Sequence, residues 1–325
     1  MLLRNNNVGK PLIVILTREI DNSVDQVINW LNFIGTYRII RITNNRKIKI
    51  KRIVLNNNEI DLMLNIDNNE LSIKEVYSFW VRNGYFSHDY IFESNDIILQ
   101  EKVNKFLNSE WKYLNDYFIF LLSKKFKCIG NYKELLPNKL IQLYYAKKVG
   151  LSIPNTNIVS GSGVYINKGS IITKPIKDIF TFEKNKIGLA TKTKVVSDFK
   201  DQVNFFPSLI QSRIDKNFEL RIYFFKNKFY AAAIFTGMNS EVDYRSQANK
   251  EKLRIVPYLI PRKIKNKLKK LMYLLKIESG SIDMIVSKNM QYYYLEVNPV
   301  GYFDNISSVC NFNIEKDIAL YLAKK

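Results

Sequence analysis

An α/β or α+β fold is what this sequence predicts, and three observations predict it. Strands and amphipathic helices alternate along the chain. The second half is rich in short β-branched and aromatic runs separated by turn residues. A length of 325 residues, 46% of them hydrophobic, supplies enough apolar surface for more than one core and favours two or three domains.

The elements follow in order. Leu12–Leu16 is apolar throughout and reads as a buried strand. Asn22 or Ser23 is the expected cap of a helix that carries Val24, Val27, Ile28, Leu31 and Ile34 on one face and stops at Gly35. Tyr37–Ile42 is a second strand. Lys47–Leu55 and Glu59–Ile66 form a hairpin around Asn56-Asn57-Asn58, and Val76–Arg82 is a further strand. Asn95 or Asp96 opens a long helix with an apolar stripe through Val103, Phe106, Leu107, Trp111, Leu114, Phe118 and Leu121. These elements make one N-terminal domain, residues 1–125. In the remainder, Pro137-Asn138-Lys139 precedes a helix ending near Gly150. Apolar strands then end in Lys174-Pro175 and in Gln211-Ser212-Arg213-Ile214. Glu219-Leu220-Arg221 runs into Ile222–Phe225, with Phe229–Phe235 as its antiparallel partner.

Composition narrows the class. Two cysteines, Cys128 and Cys310, cannot staple a chain of this size, so they read as small buried residues of a protein in a reducing compartment. Arg4 and Lys10 are followed only by the apolar run Leu12–Leu16, too short for a signal segment. No apolar stretch approaches the roughly twenty residues that span a bilayer. A cytoplasmic protein away from membranes is expected. The charge is lopsided, with 50 Lys plus Arg against 30 Asp plus Glu, formally +20. Such a field attracts polyanions: nucleic acid, nucleotide triphosphates or acidic peptides. Lys263, Lys265, Lys267, Lys269 and Lys270 lie opposite Ile264, Leu268, Leu271 and Leu275 at helical spacing, which makes them a solvated helix face. No zinc-knuckle spacing, RNP-like aromatic motif or Arg/Gly tract accompanies the charge, so nucleic acid is not the expected partner. The single histidine, His88, argues against histidine-based nucleophilic catalysis.

The most informative segment is Ser281–Phe303. Two apolar runs, Ser281–Val286 and Tyr292–Val297, flank a polar turn at Lys288-Asn289. Asp283 lies on the first; Glu296 and Asn298 lie two apart on the second and share a face. A hairpin would gather the three as hard oxygen ligands suited to Mg²⁺ between protein and phosphates. An ordinary hairpin with a polar solvent face is the alternative.

The ordered series is Asn138-Lys139, Lys174-Pro175, Gln211-x-x-Ile214, Glu219-Leu220-Arg221, Asp243-Tyr244-Arg245 and Asp283…Glu296-x-Asn298-Pro299. It resembles the ATP-grasp enzymes, and within them the RimK-like branch. The nearest resemblance is to the maturases of graspetides, ribosomal peptides cross-linked by ω-esters or ω-amides. Ser78-Phe79-Trp80-Val81-Arg82 and Asn298-Pro299-Val300-Gly301 are similar to the "grasp-with-spasm" subgroup. The resemblance implies an ATP-grasp fold in residues 126–325, with a lid subdomain at about 151–212 and a larger subdomain at about 213–325. Residues 1–125 would be a pre-ATP-grasp α/β domain.

What it implies chemically is consistent with the residue types. A carboxylate is a poor acyl donor until phosphorylation turns it into an acyl phosphate, a step that needs cations around the phosphates and little covalent help. By resemblance, Lys139 and Lys174 hold the α- and β-phosphates. Gln211, Ser212, Arg213 and Ile214 form the hinge at the adenine. Glu219 binds ribose or helps order the metal, and Arg221 meets the γ-phosphate. Asp283, Glu296 and Asn298 hold Mg²⁺. Arg245 grips the acidic side chain or the acyl phosphate, and Asp243 is the base for the attacking hydroxyl or amine. ATP and Mg²⁺ are the implied cofactors. A precursor peptide with a leader and an acidic, Thr/Ser-rich core is the implied partner, and relatives commonly form homo-oligomers.

Two departures stand out. Tyr244 occupies a position where relatives more often carry Trp or Phe. The glycine-rich loop that many ATP-grasp enzymes place soon after the lysine of Lys174-Pro175 is missing, since Ile176–Lys184 contains no glycine and Gly188 is the first to follow. Phe180–Val196 reads instead as a hairpin turning at Asn185-Lys186, with Lys184, Lys186, Lys192 and Lys194 favouring an acidic partner. It is either a leader-peptide edge or a plain lid hairpin. A different RimK-like carboxylate–amine ligase shares all the ATP chemistry and differs only in its acceptor.

Overall fold

The structure is a computed structural model. It describes residues 10–67, 69–130, 138–161, 170–177, 181–184, 187–190, 193–196, 204–236 and 253–324. The chain divides into two compact units. One comprises Met1–Leu135, Tyr302–Ser307 and Asn313–Lys325; the other comprises Leu136–Gly301 and Ser308–Phe312. The C-terminal return to the first unit has no counterpart in the sequence expectation, which assigned everything after residue 125 to the second domain.

The first unit is built on a parallel sheet. Strand β1 (Leu12–Thr17) is completely buried, which its unbroken apolar run requires. It pairs with β2 (Arg38–Thr43) on one side and β6 (Val76–Arg82) on the other, and β6 pairs with β7 (Lys127–Ile129). Between β2 and β6 the chain forms an antiparallel meander of β3 (Ile48–Leu55), β4 (Ile60–Ile66) and β5 (Asn69–Ser72). The expected hairpin is present, and β5 adds a third strand to it. Helix α1 (Asn22–Ile34) ends at Gly35 as expected, with the glycine in the left-handed region at φ 75°.

The cap of α1 is Asp21, not Asn22 or Ser23. Its carboxylate accepts from the Val24 N–H at 3.2 Å and from Arg82 Nε at 2.9 Å. Asp21 and Arg82 are both almost fully buried, and Trp80, Tyr302 and Phe303 surround the guanidinium. Helix α2 (Ile97–Lys125) starts at Asp96, one of the two expected caps. Trp111, Phe118 and Leu121 of its predicted stripe are buried, but Phe106 is exposed. His88 stacks on Tyr90 and lies against Trp111, a structural role.

Among the described residues, the second unit holds three sheets. Helix α3 (Lys139–Lys148) is capped by Asn138. Strands β8 (Thr156–Gly161), β9 (Ile171–Lys174), β12 (Lys194–Val196) and β13 (Asn204–Ser212) form an antiparallel sheet in the order β12-β9-β13-β8. Among the described residues, strands β10 (Thr181–Lys184) and β11 (Ile187–Ala190) pair only with each other. The hairpin expected over Phe180–Val196 is therefore shorter: Lys184 faces Ile187, and Lys194–Val196 joins β9 instead.

The largest sheet is antiparallel and contains β14 (Lys216–Phe225), β15 (Lys228–Phe235), β16 (Arg254–Pro257), β17 (Ser279–Ser287) and β18 (Tyr292–Asn298), in the order β16-β15-β14-β17-β18. One face packs Phe218, Leu220, Ile222, Met284 and Val297 against α3 and α4 (Arg262–Leu275). Leu268 and Leu271 of α4 are buried there, so the lysine-rich side of that helix is indeed its solvent face. Helix α5 (Asp304–Cys310) follows the sheet, and α6 (Ile314–Ala323) closes the first unit. Among the described residues, no helix is long and apolar enough to cross a membrane.

Candidate active site

The opposite face of the five-stranded sheet carries the candidate site. Strand alternation places Glu219 and Arg221 of β14 opposite the buried set Phe218, Leu220 and Ile222. Asp283 stands between Ile282 and Met284 on β17 in the same way. Register then assembles the cluster: Arg221 is paired with Asp283, Asp283 with Glu296, and Ser281 with Asn298. The three expected metal ligands and Arg221 thus occupy neighbouring positions on one face.

Electrostatics joins them. Arg221 Nη1 lies 2.5 Å and 2.7 Å from the two Asp283 oxygens, a half-buried pair. Lys139, at the first turn of α3, puts Nζ 3.2 Å from Glu296 Oε2 and 3.5 Å from the Pro175 carbonyl. The lysine that ends β9, Lys174, belongs to the same cluster. Its pKa is lowered, first by burial and next by the positive charge of Lys139, while Glu296 and Asp283 pull the other way. Glu219 pairs with Lys216 at 2.7 Å. Asn298 Oδ1 accepts from the Val300 N–H at 3.0 Å and keeps a second lone pair for another partner. Gly301 closes this turn against β17, where an added Cβ would sit 2.1 Å from Ser281 Cβ.

The expected hinge lies at the end of β13. Gln211 is buried and donates to Thr156 Oγ1 at 2.8 Å, and its buried Oε1 has no hydrogen-bond partner among the described residues. The Ser212 N–H donates to Asn155 O and the Arg213 N–H to Ser170 O, both at 2.9 Å. Those two amides are therefore engaged within the protein, which leaves the Arg213 carbonyl and the Ile214 backbone as the groups able to read a base edge. Asp243 and Arg245 lie outside the described residues.

The donor set fits a magnesium nucleotide. Two carboxylates and an amide oxygen on one face suit a hard cation, and three cations beside them suit phosphate oxygens. In the absence of ligand, Arg221 is paired with Asp283 and Lys139 with Glu296. One residue was missed by sequence reasoning altogether. Gln142 of α3 is buried behind Glu296, accepting from the Tyr294 hydroxyl (2.8 Å) and the Val297 N–H (2.8 Å) and donating to the Val297 carbonyl (3.1 Å). Its only sequence signal is a polar residue at a position where helical spacing from Leu143 and Ala146 calls for burial.

No family model matches this chain, and no curated protein matches it. Solved structures do. The macrocyclase MdnC bound with precursor peptide MdnA, from Microcystis aeruginosa MRC, is 21% identical, with 97% of this chain and 100% of that chain covered and a TM-score of 0.74. A RiPP-associated ATP-grasp ligase from Chryseobacterium gregarium, in complex with ADP and a leader and core peptide, is 22% identical over 96% of both chains at a TM-score of 0.75. The ATP-grasp ligase PsnB, complexed with a precursor variant, Mg and ADP, is 14% identical over 98% of this chain and 99% of that one, at 0.68. The fold of this chain is the ATP-grasp fold over nearly its whole length.

Proposed function

We propose that this protein is an ATP-dependent ligase that cross-links a ribosomal precursor peptide through its Asp or Glu side chains. The observation that carries the proposal is the cluster of Arg221, Asp283, Glu296 and Asn298 on one sheet face of an ATP-grasp fold, with Lys139 of α3 and Lys174 of β9 beside them. Similar structures were solved with ADP, Mg and precursor peptides, which supports the choice of ligands.

Asp283, Glu296 and Asn298 would hold Mg²⁺, which when bound neutralises phosphate charge. Lys139 and Lys174 bind the α- and β-phosphates, and Arg221 orients the γ-phosphate. The backbone at Arg213–Ile214 meets the adenine, and Glu219 the ribose. A peptide carboxylate oxygen attacks the γ-phosphorus, ADP leaves, and an acyl phosphate forms. A Ser or Thr hydroxyl, or a Lys amine, then attacks the acyl carbon; inorganic phosphate leaves and Asp243 takes the proton. Arg245 holds the acidic side chain. Each cycle converts ATP to ADP and phosphate and removes one water from the peptide.

Residues 1–125 would serve as the pre-ATP-grasp domain, 126–325 as the ATP-grasp domain, and about 151–212 as its lid. Among the described residues no third strand pairs with the hairpin of β10 and β11, and an extended leader could add one to it. The enzyme would work in the cytoplasm, where ATP is present and Cys128 and Cys310 stay reduced, as a homodimer or homotetramer.

The test is intact mass of a short acidic, Thr/Ser-rich peptide encoded beside this gene, after incubation with the protein, ATP and Mg²⁺. Successive losses of one water are expected. They should be absent with Asp243→Asn, which should still bind Mg·ADP. Release of ADP with an unchanged peptide would move the acceptor elsewhere, and failure to bind Mg·ATP would overturn the proposal.

A further inference from the structure

Strand β18 is not regular. Met284 of β17 is paired with Tyr294, and Asp283 with Glu296, so Leu295 is the extra residue of a β-bulge. An unbroken strand would put Glu296 on the same side as Tyr294, which is fully buried against the helices. The bulge reverses the alternation. Val297 takes the buried side, while Glu296 and Asn298 turn to the face that carries Asp283 and Arg221. The position of Glu296 in the site depends on that one inserted residue.

The bulge lies on an edge strand, since β18 ends the sheet. Its outer edge is closed by a side chain. Gln142, 1% exposed, presents its amide to Val297 as another strand would, accepting from the N–H at 2.8 Å and donating to the carbonyl at 3.1 Å. The same Oε1 accepts from the Tyr294 hydroxyl at 2.8 Å, on the other side of the bulge. The Tyr294 N–H is taken by Ser152 O at 2.9 Å. Gln142 therefore grips both ends of the bulge from one helix turn beyond Lys139, whose Nζ reaches Glu296 at 3.2 Å.

We infer that Gln142, with Tyr294, is a positioning residue for the metal-nucleotide site. It holds the bulge that aims Glu296 and ties it to the helix turn that delivers Lys139. Both are buried on the helix-covered side of the sheet, away from the face proposed to hold the metal and nucleotide. The role rests on the proposal that Asp283, Glu296 and Asn298 bind Mg²⁺ with a nucleotide. Outer-shell partners that orient metal ligands commonly affect metal affinity about 10- to 100-fold. A core polar residue with no such role would change stability alone.

The experiment compares Mn²⁺ binding in the presence of ADP, read by electron paramagnetic resonance, with metal-free ADP binding in EDTA, read by calorimetry. The proteins are wild type, Gln142→Met and Tyr294→Phe. Gln142→Met keeps the side-chain length and removes the hydrogen bonds to Val297 and Tyr294; Tyr294→Phe removes one of them and serves if the first variant does not fold. The expected result is Mn²⁺ affinity with ADP reduced by about ten-fold or more in Gln142→Met and by less in Tyr294→Phe, with metal-free ADP affinity within about three-fold of wild type. Unchanged Mn²⁺ affinity, or Mn²⁺ and metal-free ADP falling in parallel, would overturn the positioning role. A wild-type protein that binds no Mn·ADP would instead overturn the function and this role with it.

Discussion

Glu296→Gln should change metal-dependent and metal-free nucleotide binding in opposite directions. The carboxylate has two uses in the structure: it is an oxygen ligand for the proposed metal, and without ligand it neutralises Lys139 at 3.2 Å. At that separation and an effective dielectric of 20 the gross attraction is about 5 kcal/mol. The two side chains are 21% and 24% exposed, so solvent screening and rotamer entropy reduce the net value to about 1 kcal/mol. That is the amount a phosphate must repay to take Lys139 from Glu296. With the amide in place the cost disappears, and metal-free ADP in EDTA should bind about five-fold more tightly. Loss of a charged ligand should at the same time weaken Mn²⁺ binding in the presence of ADP by about 100-fold, and turnover should stop. Calorimetry in EDTA and a Mn²⁺ titration in ADP read the two quantities separately. Metal-free ADP binding that weakens in step with Mn²⁺ would refute the reasoning, because it would mean that Glu296 supports the fold of the site and does not compete for Lys139.

Two further outcomes follow from charges held away from water. Lys174 has a pKa below the ordinary 10.5, mainly through burial, and phosphate binding should raise it again. Nucleotide binding should therefore take up a proton between the lowered and the restored values, seen as a calorimetric heat that varies with buffer ionisation enthalpy, and affinity should fall as pH rises through that window. For stability the sign is reversed: the unfolded chain holds more protons there, so stability rises with pH between the lowered value and 10.5, and Lys174→Met should abolish both effects. In the first unit, Arg82→Met should leave Asp21 buried without its cation and destabilise by about 3–5 kcal/mol. Replacing both members, as in Asp21→Asn with Arg82→Met, should recover part of that loss in a urea titration. A single variant as stable as wild type would show that the pair carries no weight.

How much of this was legible in the sequence depended on the distance over which each feature is decided. The site cluster was legible because its members are tied to local patterns: Lys174 ends an apolar run, Glu219 and Arg221 alternate with Leu220, and Glu296 and Asn298 lie two apart. That Glu296 faces Asp283 was not decided locally. Nothing in Tyr292-Tyr293-Tyr294-Leu295-Glu296-Val297 marks a bulge, and the residue that holds it, Gln142, is 155 positions from Val297. The cap of α1 was misplaced for the same reason. Asp21, Asn22 and Ser23 are all good caps, and Arg82, 61 residues away, selects Asp21. Phe106 shows a different limit. Leu99, Phe106, Tyr113 and Phe120 recur every seven residues on α2 and are all exposed. Periodicity reports which residues share a face, and only tertiary packing decides which face is covered. The short strands β5, β7 and β16 are set by their neighbours in the sheet and carry little pattern of their own.

The same geometry separates the proposed ligase from a nucleic-acid-binding protein of equal charge. A binder that follows a phosphate backbone needs exposed cations spaced along a track, and its affinity comes from releasing counterions from them. The cations of this cluster are arranged otherwise. Arg221 is held bidentately by Asp283, Lys139 is paired with Glu296, and Lys174 is buried enough for its pKa to fall. Such a set is preorganised for a compact, highly charged ligand that arrives with its own divalent metal, because the metal takes the carboxylates as the phosphates take the cations. A polyanion without a metal would have to break both ion pairs and leave two carboxylates facing its phosphates. The formal charge of +20 is therefore not what the site uses. It is carried by solvated surfaces such as the lysine face of α4, where it can draw in an acidic peptide, while discrimination in the site rests on the exchange of partners among five charged side chains.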